Sequence, residues 1–282
     1  KANPTQSFSA SGNFASTSYE RNNLVAMYNP ETYTQSTRTS SISYSKTFSR
    51  IGLTLSFSTN MSQNMRDSTI SLTLPSLNIS LQRLYPFKRK KAIGKERWYE
   101  KIALSYTGTL SNSINTKENK LLKSNLVRDW NNGMRHQIPI SASFVAFNYV
   151  NITPAFKFTD RTDFNRVFRS WDAVANKEVC DTTYGFYNVY NYSLSVSATT
   201  KLYGFYRPLI GKKISAIRHV FTPSLSFSYA PDFSERRFGF YDTYVKTDEK
   251  GNVSTVEYSP YSTGMYCTAP KGMSGNVSLY VS

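Results

Sequence analysis

A strict two-residue alternation in the stretch 188–229 limits what this chain can fold into more than any other feature. Serine occupies every second position from Ser193 to Ser197, and the positions between them hold Leu194 and Val196. This period predicts a β-strand, because successive side chains of a strand point to opposite faces. The alternation returns in VFTPSLSFSY after a basic stretch, KLYGFYRPLIGKKISAIRH. The two arms are therefore predicted to form an antiparallel hairpin.

The two faces of these strands differ in the way that is typical of a membrane barrel. One face is apolar and the other carries almost only hydroxyl groups, whereas a half-buried strand of a soluble protein usually carries charges on its wet face. Small Ser, Thr and Asn side chains opposite an apolar row suit a wall between lipid and a polar lumen. The hydrophobic content is only 39%, but lumen residues dilute the lipid-facing ones in a barrel. The 21 Tyr and 18 Phe fit interfacial girdles.

The same pattern predicts about ten strands along the chain. They are 7–19, 40–48, 51–59, 68–84, 101–110, 138–147, 150–159, 188–200, 220–229 and a last one from about 273. Within the fourth strand the apolar parity switches at Pro75, which predicts a β-bulge there. The predicted fold class is all-β: an antiparallel transmembrane β-barrel, with residues 1–282 forming part of one larger barrel domain. The alternation runs into the last residue, so we expect further strands outside this sequence.

Connection lengths predict an orientation. The connections at 49–50, 85–98, 148–149 and 203–213 are tight or compact, whereas those at 112–136, 160–187 and after Tyr229 are longer. Outer-membrane barrels have short periplasmic turns and longer external loops. The compact connections, which include both Lys/Arg-rich stretches, are therefore expected on the periplasmic side.

Two groups of residues are candidate functional sites. The first lies at the polar parity of the strands and is expected to face the lumen: Ser105, Thr107, Ser141, Ser143, Ser193, Ser195, Ser197, Ser224 and Ser226. The second would contact phosphate or an acidic partner, because Lys and Arg bind phosphate through charge and hydrogen bonding: Lys88, Arg89, Lys90, Lys91, Lys95, Arg97, Arg207, Lys212, Lys213 and Arg218. The net charge of +16 supports an acidic partner or environment. The alternative is that these basic turns are simply solvated.

Other kinds of site find little support in the sequence. Two His and two Cys predict no metal site, and no cofactor motif occurs. His136 has no recognisable nucleophile partner and no Gly-x-Ser-x-Gly elbow exists, so an enzyme is not expected. The alternating aromatics fit lipid contact better than base stacking, so nucleic acid is not expected as a partner. Cys180 and Cys267 lie in predicted external connections, and whether they pair stays open.

Four blocks of sequence between Ser68 and Tyr229 carry a family resemblance: LNISLQRLYPFKRKKAIGKERWYEKIALSYTG, NGMRHQIPISASF, NITPAFKFTDR and SATTKLYGFYRPLIGKKISAIRHVFTPSLSFSY. In this order the blocks resemble the LptD family, in the form found in Bacteroidetes, and the likeness extends more loosely to both ends. The resemblance implies an integral protein of the Gram-negative outer membrane that inserts lipopolysaccharide into the outer leaflet through a lateral opening.

The resemblance also implies partners. They are lipopolysaccharide, outer-membrane lipids, an LptE-like plug lipoprotein and a periplasmic bridge protein. A periplasmic jelly-roll domain belongs to such barrels but is not recognisable here, and neither is the gate. The lumen hydroxyls would solvate sugar headgroups, and the basic residues would offset phosphate charge. The competing interpretations are another outer-membrane barrel, such as a porin, nutrient transporter or protein-secretion channel, and a soluble β-rich adhesin.

Overall fold

The computed structural model describes residues 4–14, 37–89, 91, 94, 96–206, 217–247 and 252–282. Fifteen strands run through this part of the chain: β1 Gln6–Ser11, β2 Thr37–Phe48, β3 Leu53–Asn64, β4 Thr69–Leu84, β5 Ala103–Lys117, β6 Asn131–Ser141, β7 Phe144–Ala146, β8 Val150–Asp172, β9 Lys177–Thr200, β10 Leu202–Tyr206, β11 Ile217–Phe221, β12 Pro223–Ala230, β13 Asp242–Thr247, β14 Val253–Tyr258 and β15 Ser274–Val281. Two short 3₁₀ helices, Trp98–Lys101 and Glu118–Lys123, precede and follow β5. No helix among these residues is long and apolar enough to cross a membrane.

Eleven of the strands form one antiparallel sheet. Ten of them follow the order β1-β2-β3-β4-β5-β6-β8-β9-β12-β15, and β7 pairs with β8 beside this path. Two small hairpins, β10-β11 and β13-β14, stand apart from the sheet. Since β1 and β15 occupy opposite edges, the sheet is open among the described strands. The predicted all-β antiparallel fold is confirmed, and closure into a barrel stays a prediction.

Strand register keeps the two kinds of side chain on separate faces across the sheet. One cross-strand row consists only of serines from β1 to β5: Ser9, Ser43, Ser58, Ser76 and Ser111. The next row, on the opposite face, is apolar from β1 to β6: Phe8, Tyr44, Phe57, Leu77, Leu110 and Met134. We call the face that carries the serine row the hydroxyl face, and the opposite face, which carries the apolar row, the apolar face.

The predicted bulge at Pro75 maintains this separation in β4. Ser76 pairs with Ser58 of β3, but Thr73 pairs with Asn60, so Leu74 and Pro75 together oppose a single residue. The pairing with β5 shifts at the same place. Because a slip of one residue moves every later side chain to the other face, the bulge returns the apolar residues on both sides of Pro75 to one face.

Several predicted element boundaries were wrong. The predicted loop 160–187 is mostly strand, because β8 and β9 leave only 173–176 between them. About half of the predicted loop 112–136 is strand, because β5 and β6 leave 118–130 between them. Charged residues on both faces of 160–172 conceal the alternation, while backbone pairing with β9 continues to Asp172. Within the predicted first strand 7–19, β1 ends at Ser11, and residues 15–19 lie outside the described residues. The predicted strand 220–229 is divided between β11 and β12. The turn placed at 49–50 spans 49–52, where Gly52 has a φ of +65°.

The sheet has two distinct ends. The connections 49–52 and 147–149 lie at one end, which we call the basic end. The described residues of the turn 85–102 and the residues 201–206 and 217–222, which contain β10 and β11, belong to the same end. The opposite end, where β8 and β9 extend to 23 and 24 residues, is the long-strand end. A buried cluster of Val189, Phe233, Phe240 and Ala269 joins β9 to the connection 231–273.

Candidate functional site: the hydroxyl face and the basic end

The structure brings the predicted polar-parity residues together on the hydroxyl face. Register places eight of them there directly: Ser105, Thr107, Ser141, Ser193, Ser195, Ser197, Ser224 and Ser226. The ninth, Ser143, lies between β6 and β7 and donates from Oγ to Asn151 Oδ1 at 3.0 Å. Asn151 pairs with Thr199 on the same face, so Ser143 joins the others.

Hydroxyl groups on this face bond to one another across strands. Ser226 Oγ lies 2.6 Å from Ser278 Oγ, and Ser9 Oγ lies 2.7 Å from Ser43 Oγ. The corresponding distance for Ser45 and Ser56 is 3.2 Å. A hydroxyl has one donor and two acceptor sites, so each pair keeps capacity for a further partner. The face can therefore hydrogen-bond water or sugar hydroxyls along its whole width.

Towards the long-strand end, charged side chains replace hydroxyls on this face. Arg135 pairs in register with Arg161, and Gly133 pairs with Asp163. Arg161 Nη1 donates to Asn191 Oδ1 at 2.5 Å. Asp163 is fully buried. These residues were not selected from the sequence, although the parity rule that selected the serines would have placed them here.

The connection 231–273 covers this charged part of the hydroxyl face. Tyr266 lies over the Arg135 guanidinium, 4.8 Å from ring centroid to Cζ. A Cβ added to Gly133 would come within 2.7 Å of Met265 Cβ, and one added to Gly264 would collide with the Asp163 carboxylate. No strand periodicity marks 259–272, so this contact could not be anticipated from the sequence.

At the basic end, the turn 85–102 is held by ion pairs. Arg89 contacts both carboxylate oxygens of Glu100, which is only 3% exposed, and Arg89 Nη2 donates to Oε2 at 3.2 Å. The Arg97 backbone N–H also donates to Glu100 Oε2 at 3.2 Å. The hydrogen bond between Arg89 and Glu100 lowers the pKa of Glu100 and raises the pKa of Arg89. Arg89 therefore helps to shape the turn.

The remaining basic candidates differ in their surroundings. Lys88 Nζ lies 3.5 Å from Glu96 Oε1, and Arg97 Nη1 donates to the Tyr99 hydroxyl at 3.0 Å. Lys91 is exposed. Arg218 Cζ lies 5.3 Å from the ring centroid of Tyr203, so β10-β11 presents a cation at the same end of the sheet. Lys90, Lys95, Arg207, Lys212 and Lys213 lie outside the described residues.

In the described part of the chain, no group of three His, Cys, Asp or Glu residues is arranged to hold a metal ion. Cys180 and Cys267 are both free and exposed. His136 Nδ1 lies 2.7 Å from the Tyr106 hydroxyl, and its ring is stacked on that of Tyr106.

The sequence matches the family described as LptD protein over residues 1–282, the whole chain. The chain belongs to the LptD family. The resemblance of the separate blocks is thus confirmed and extends to both ends. No curated protein and no solved structure matches the chain.

Membership of the LptD family sets the general role. LptD proteins act in the transport and assembly of lipopolysaccharide at the outer membrane, and they are transport proteins rather than enzymes. Lipopolysaccharide is accordingly the substrate that the family implies. The antiparallel sheet, with one apolar and one hydroxyl face, agrees with this location and role.

Proposed function

We propose that this chain forms part of the wall of an LptD translocon that inserts lipopolysaccharide into the outer leaflet. In this proposal residues 1–282 belong to a single outer-membrane barrel domain with more strands than this sequence contains. The observation that carries the proposal is the separation of apolar and hydroxyl side chains on opposite faces of a ten-strand path. Such a sheet separates two media of different polarity.

The apolar face is suited to lipid because the described chain leaves much of it uncovered. Phe8, Leu194, Phe227 and Leu279 are 70%, 47%, 46% and 70% exposed, although all four belong to the apolar face. A soluble monomer rarely exposes an apolar patch of more than a few hundred Å². The acyl chains of lipids would cover these side chains, so that no further layer of protein has to be ordered against them.

The hydroxyl face is suited to a sugar-rich headgroup. Its Ser and Thr side chains supply both donors and acceptors, which match the hydroxyls of a saccharide. Lys157, directly opposite Ser193, adds a cation that can offset phosphate charge. A headgroup would therefore exchange hydrogen bonds with water for hydrogen bonds with the wall as it moves. Movement of this kind needs an external energy source and no catalytic residue.

We place the basic end in the periplasm. The turns 49–52 and 147–149 at that end are short, as periplasmic turns of such barrels are. The cations Lys91 and Arg218 would then be available to the incoming lipid phosphates or to an acidic surface of a bridge protein. A plug lipoprotein would occupy part of the lumen, where the hydroxyl face offers it hydrogen bonds.

Photo-crosslinking in living cells tests this function. A photoreactive residue replaces Ser195 on the hydroxyl face or Leu194 on the apolar face of the full-length protein, and the adducts are stained for lipopolysaccharide. We expect adducts at Ser195 that disappear when lipopolysaccharide supply to the outer membrane stops. A protein that reaches the outer membrane but gives no such adduct at either position would be a different channel, such as a porin or a secretion pore.

A further inference from the structure

A basic pocket lies at the long-strand end, beyond the serine rows described above. It has a volume of about 400 Å³ and is lined by the end of β5 and the connection that follows it. The lining residues are Ile114, Asn115, Thr116, Lys120, Lys123, Ser124 and Asp129. We propose that this pocket binds the phosphorylated sugar headgroup of a glycolipid in the outer leaflet. The inference rests on the proposed function, because it takes the long-strand end to be the external one.

The pocket is a built feature and not a gap between mobile side chains. Trp130, which is 7% exposed, donates from Nε1 to Ser124 Oγ at 3.2 Å, and Ser124 Oγ donates to the Leu121 carbonyl at 2.7 Å. The Asn125 N–H donates to Asp129 Oδ2 at 2.7 Å. These bonds fix both the 3₁₀ helix Glu118–Lys123 and the chain that returns to β6. The two lysines therefore project from a defined backbone.

The charge around the pocket favours an anion. Lys120 and Lys123 line it together with Asp129. The connections 65–68 and 118–130 and the end of β5 add three cations, Arg66, Lys117 and Arg128, and two carboxylates, Asp67 and Glu118, so cations exceed carboxylates by two. Those connections touch, because the Glu118 N–H donates to the Ser68 carbonyl at 3.0 Å. Within the described residues, none of the five cations forms an ion pair with a carboxylate. A phosphate group would supply the missing counter-charge.

The pocket adjoins the apolar face, which indicates a lipid ligand. Ile114 pairs with Leu72 and Thr116 pairs with Ile70, both in rows of the apolar face. Ile114 and Ile70 are buried, at 5% and 2% exposed, whereas Leu77, Ile79 and Leu110, nearer the basic end of the same two strands, are partly exposed. A lipid standing against this wall would thus have acyl chains on the apolar face and its headgroup level with Lys120 and Lys123.

Polar groups in the pocket favour a sugar next to the phosphate. A carboxylate can accept more than the single bond that Asp129 Oδ2 accepts from Asn125, so it has capacity for a sugar hydroxyl. The Asn115 amide provides both a donor and an acceptor. A pocket for phosphate alone would be poorly served by a carboxylate, which repels it. A sugar phosphate suits both kinds of group. Its phosphate would bind Lys120 and Lys123, and its sugar hydroxyls would bind Asp129 and Asn115.

The test combines charge removal with a crosslinking probe inside the pocket. A photoreactive residue at Thr116 of the full-length protein reports contact with lipopolysaccharide in cells. We expect the double variant K120Q/K123Q to reduce the Thr116 adduct about tenfold, since each lysine near an anionic lipid surface contributes a favourable interaction. The double variant K177Q/K246Q removes the same charge from exposed sites outside the pocket and should leave the adduct unchanged. The variant K120R/K123R should restore it.

Further measurements separate the possible ligands and the possible failures. Purified protein in uncharged detergent is titrated with lipid A, with lipid A lacking phosphate, and with glucosamine 1-phosphate. We expect K120Q/K123Q to weaken the binding of lipid A alone. The same loss of affinity for glucosamine 1-phosphate would identify a soluble sugar phosphate as the ligand and overturn the lipid assignment.

The crosslinking results distinguish failure of the pocket proposal from failure of the proposed function. An unchanged Thr116 adduct in K120Q/K123Q, with the Ser195 adduct still present, would overturn the proposal for the pocket and leave the proposed translocon function standing. The absence of a lipopolysaccharide adduct at Ser195, in protein that keeps both lysines, would instead contradict the proposed function.

Discussion

At the scale of single residues, the buried carboxylate of Glu100 organises the basic turn. Arg89 and the Arg97 backbone N–H both bond to it, and these bonds lower its pKa. A group whose pKa is lower in the folded state stabilises that state above its ordinary pKa, and the contribution is lost as the pH falls through the folded value. Glu100 therefore holds the turn at neutral pH and releases it in acid.

We expect E100Q to loosen the turn 85–102, because an uncharged amide cannot replace the carboxylate between Arg89 and the Arg97 N–H. Trypsin should cleave the basic turn of the purified variant several times faster than that of the wild type at pH 8. The emission of the exposed Trp98 should change as wild-type protein is acidified below the ordinary carboxyl range, and the variant should lack this transition.

The matched control for this change is E96Q. Glu96 also contacts a basic side chain, Lys88, but both partners are about half exposed, so its loss should have little effect. Equal protection of the turn in E100Q and wild-type protein would show that the Arg89–Glu100 pair does not hold it.

At the scale of strands, the two-residue alternation predicted which face of the sheet a side chain occupies, but it did not predict where each strand begins and ends. The parity of Ser195 or Leu194 follows from the sequence because hydroxyl and apolar side chains occupy alternate positions of β9. The same alternation explains why the bulge at Pro75 could be located from a parity switch. Beyond Asp160 both faces of β8 carry polar residues, so the pattern disappears although the backbone pairing with β9 continues. Ladder hydrogen bonds leave no such trace in side-chain type.

Two adjacent residues of β12 allow a test of whether the apolar face contacts lipid. Phe227 is 46% exposed on the apolar face, and Ser226 faces the other way and bonds to Ser278. We expect F227R to lower the free energy of unfolding by about 2–4 kcal/mol, the cost of an arginine at the middle of a bilayer. Urea unfolding of the full-length protein in lipid vesicles measures this.

The control S226R should cost only about 1 kcal/mol, the value of the lost hydrogen bond with Ser278. Its guanidinium would enter a polar lumen instead of lipid. If the two arginines cost the same, the faces of β12 would not meet different media, and the assignment of the apolar face to lipid would be wrong.

At the scale of the whole molecule, contacts between distant segments were the least predictable. The connection 231–273 crosses the charged part of the hydroxyl face, and its aromatic residues Phe233 and Phe240 pack beside Val189. These contacts depend on the position of β12 next to β9, which the sequence does not encode locally. The pocket behind Ile114 escaped notice for the same reason, since it forms only when the connection 118–130 turns back.

The open edges also belong to this scale. β1 and β15 each pair with only one described neighbour, β2 and β12. Unpaired edge groups are costly within a membrane, where no water can satisfy them. In the proposed barrel, strands outside this sequence would satisfy these two edges and enclose the hydroxyl face.

The most direct measurement of the central claim is the accessibility of spin labels along β9 of the full-length protein in a bilayer. Cys180 and Cys267 are first replaced by serine, and single cysteines from 193 to 198 are then labelled. We predict that oxygen, which partitions into lipid, relaxes labels at 194, 196 and 198 most strongly. A water-soluble nickel chelate should prefer labels at 193, 195 and 197. Accessibility without this alternation, or with the opposite phase, would contradict the assignment of the apolar face to lipid and the hydroxyl face to the lumen.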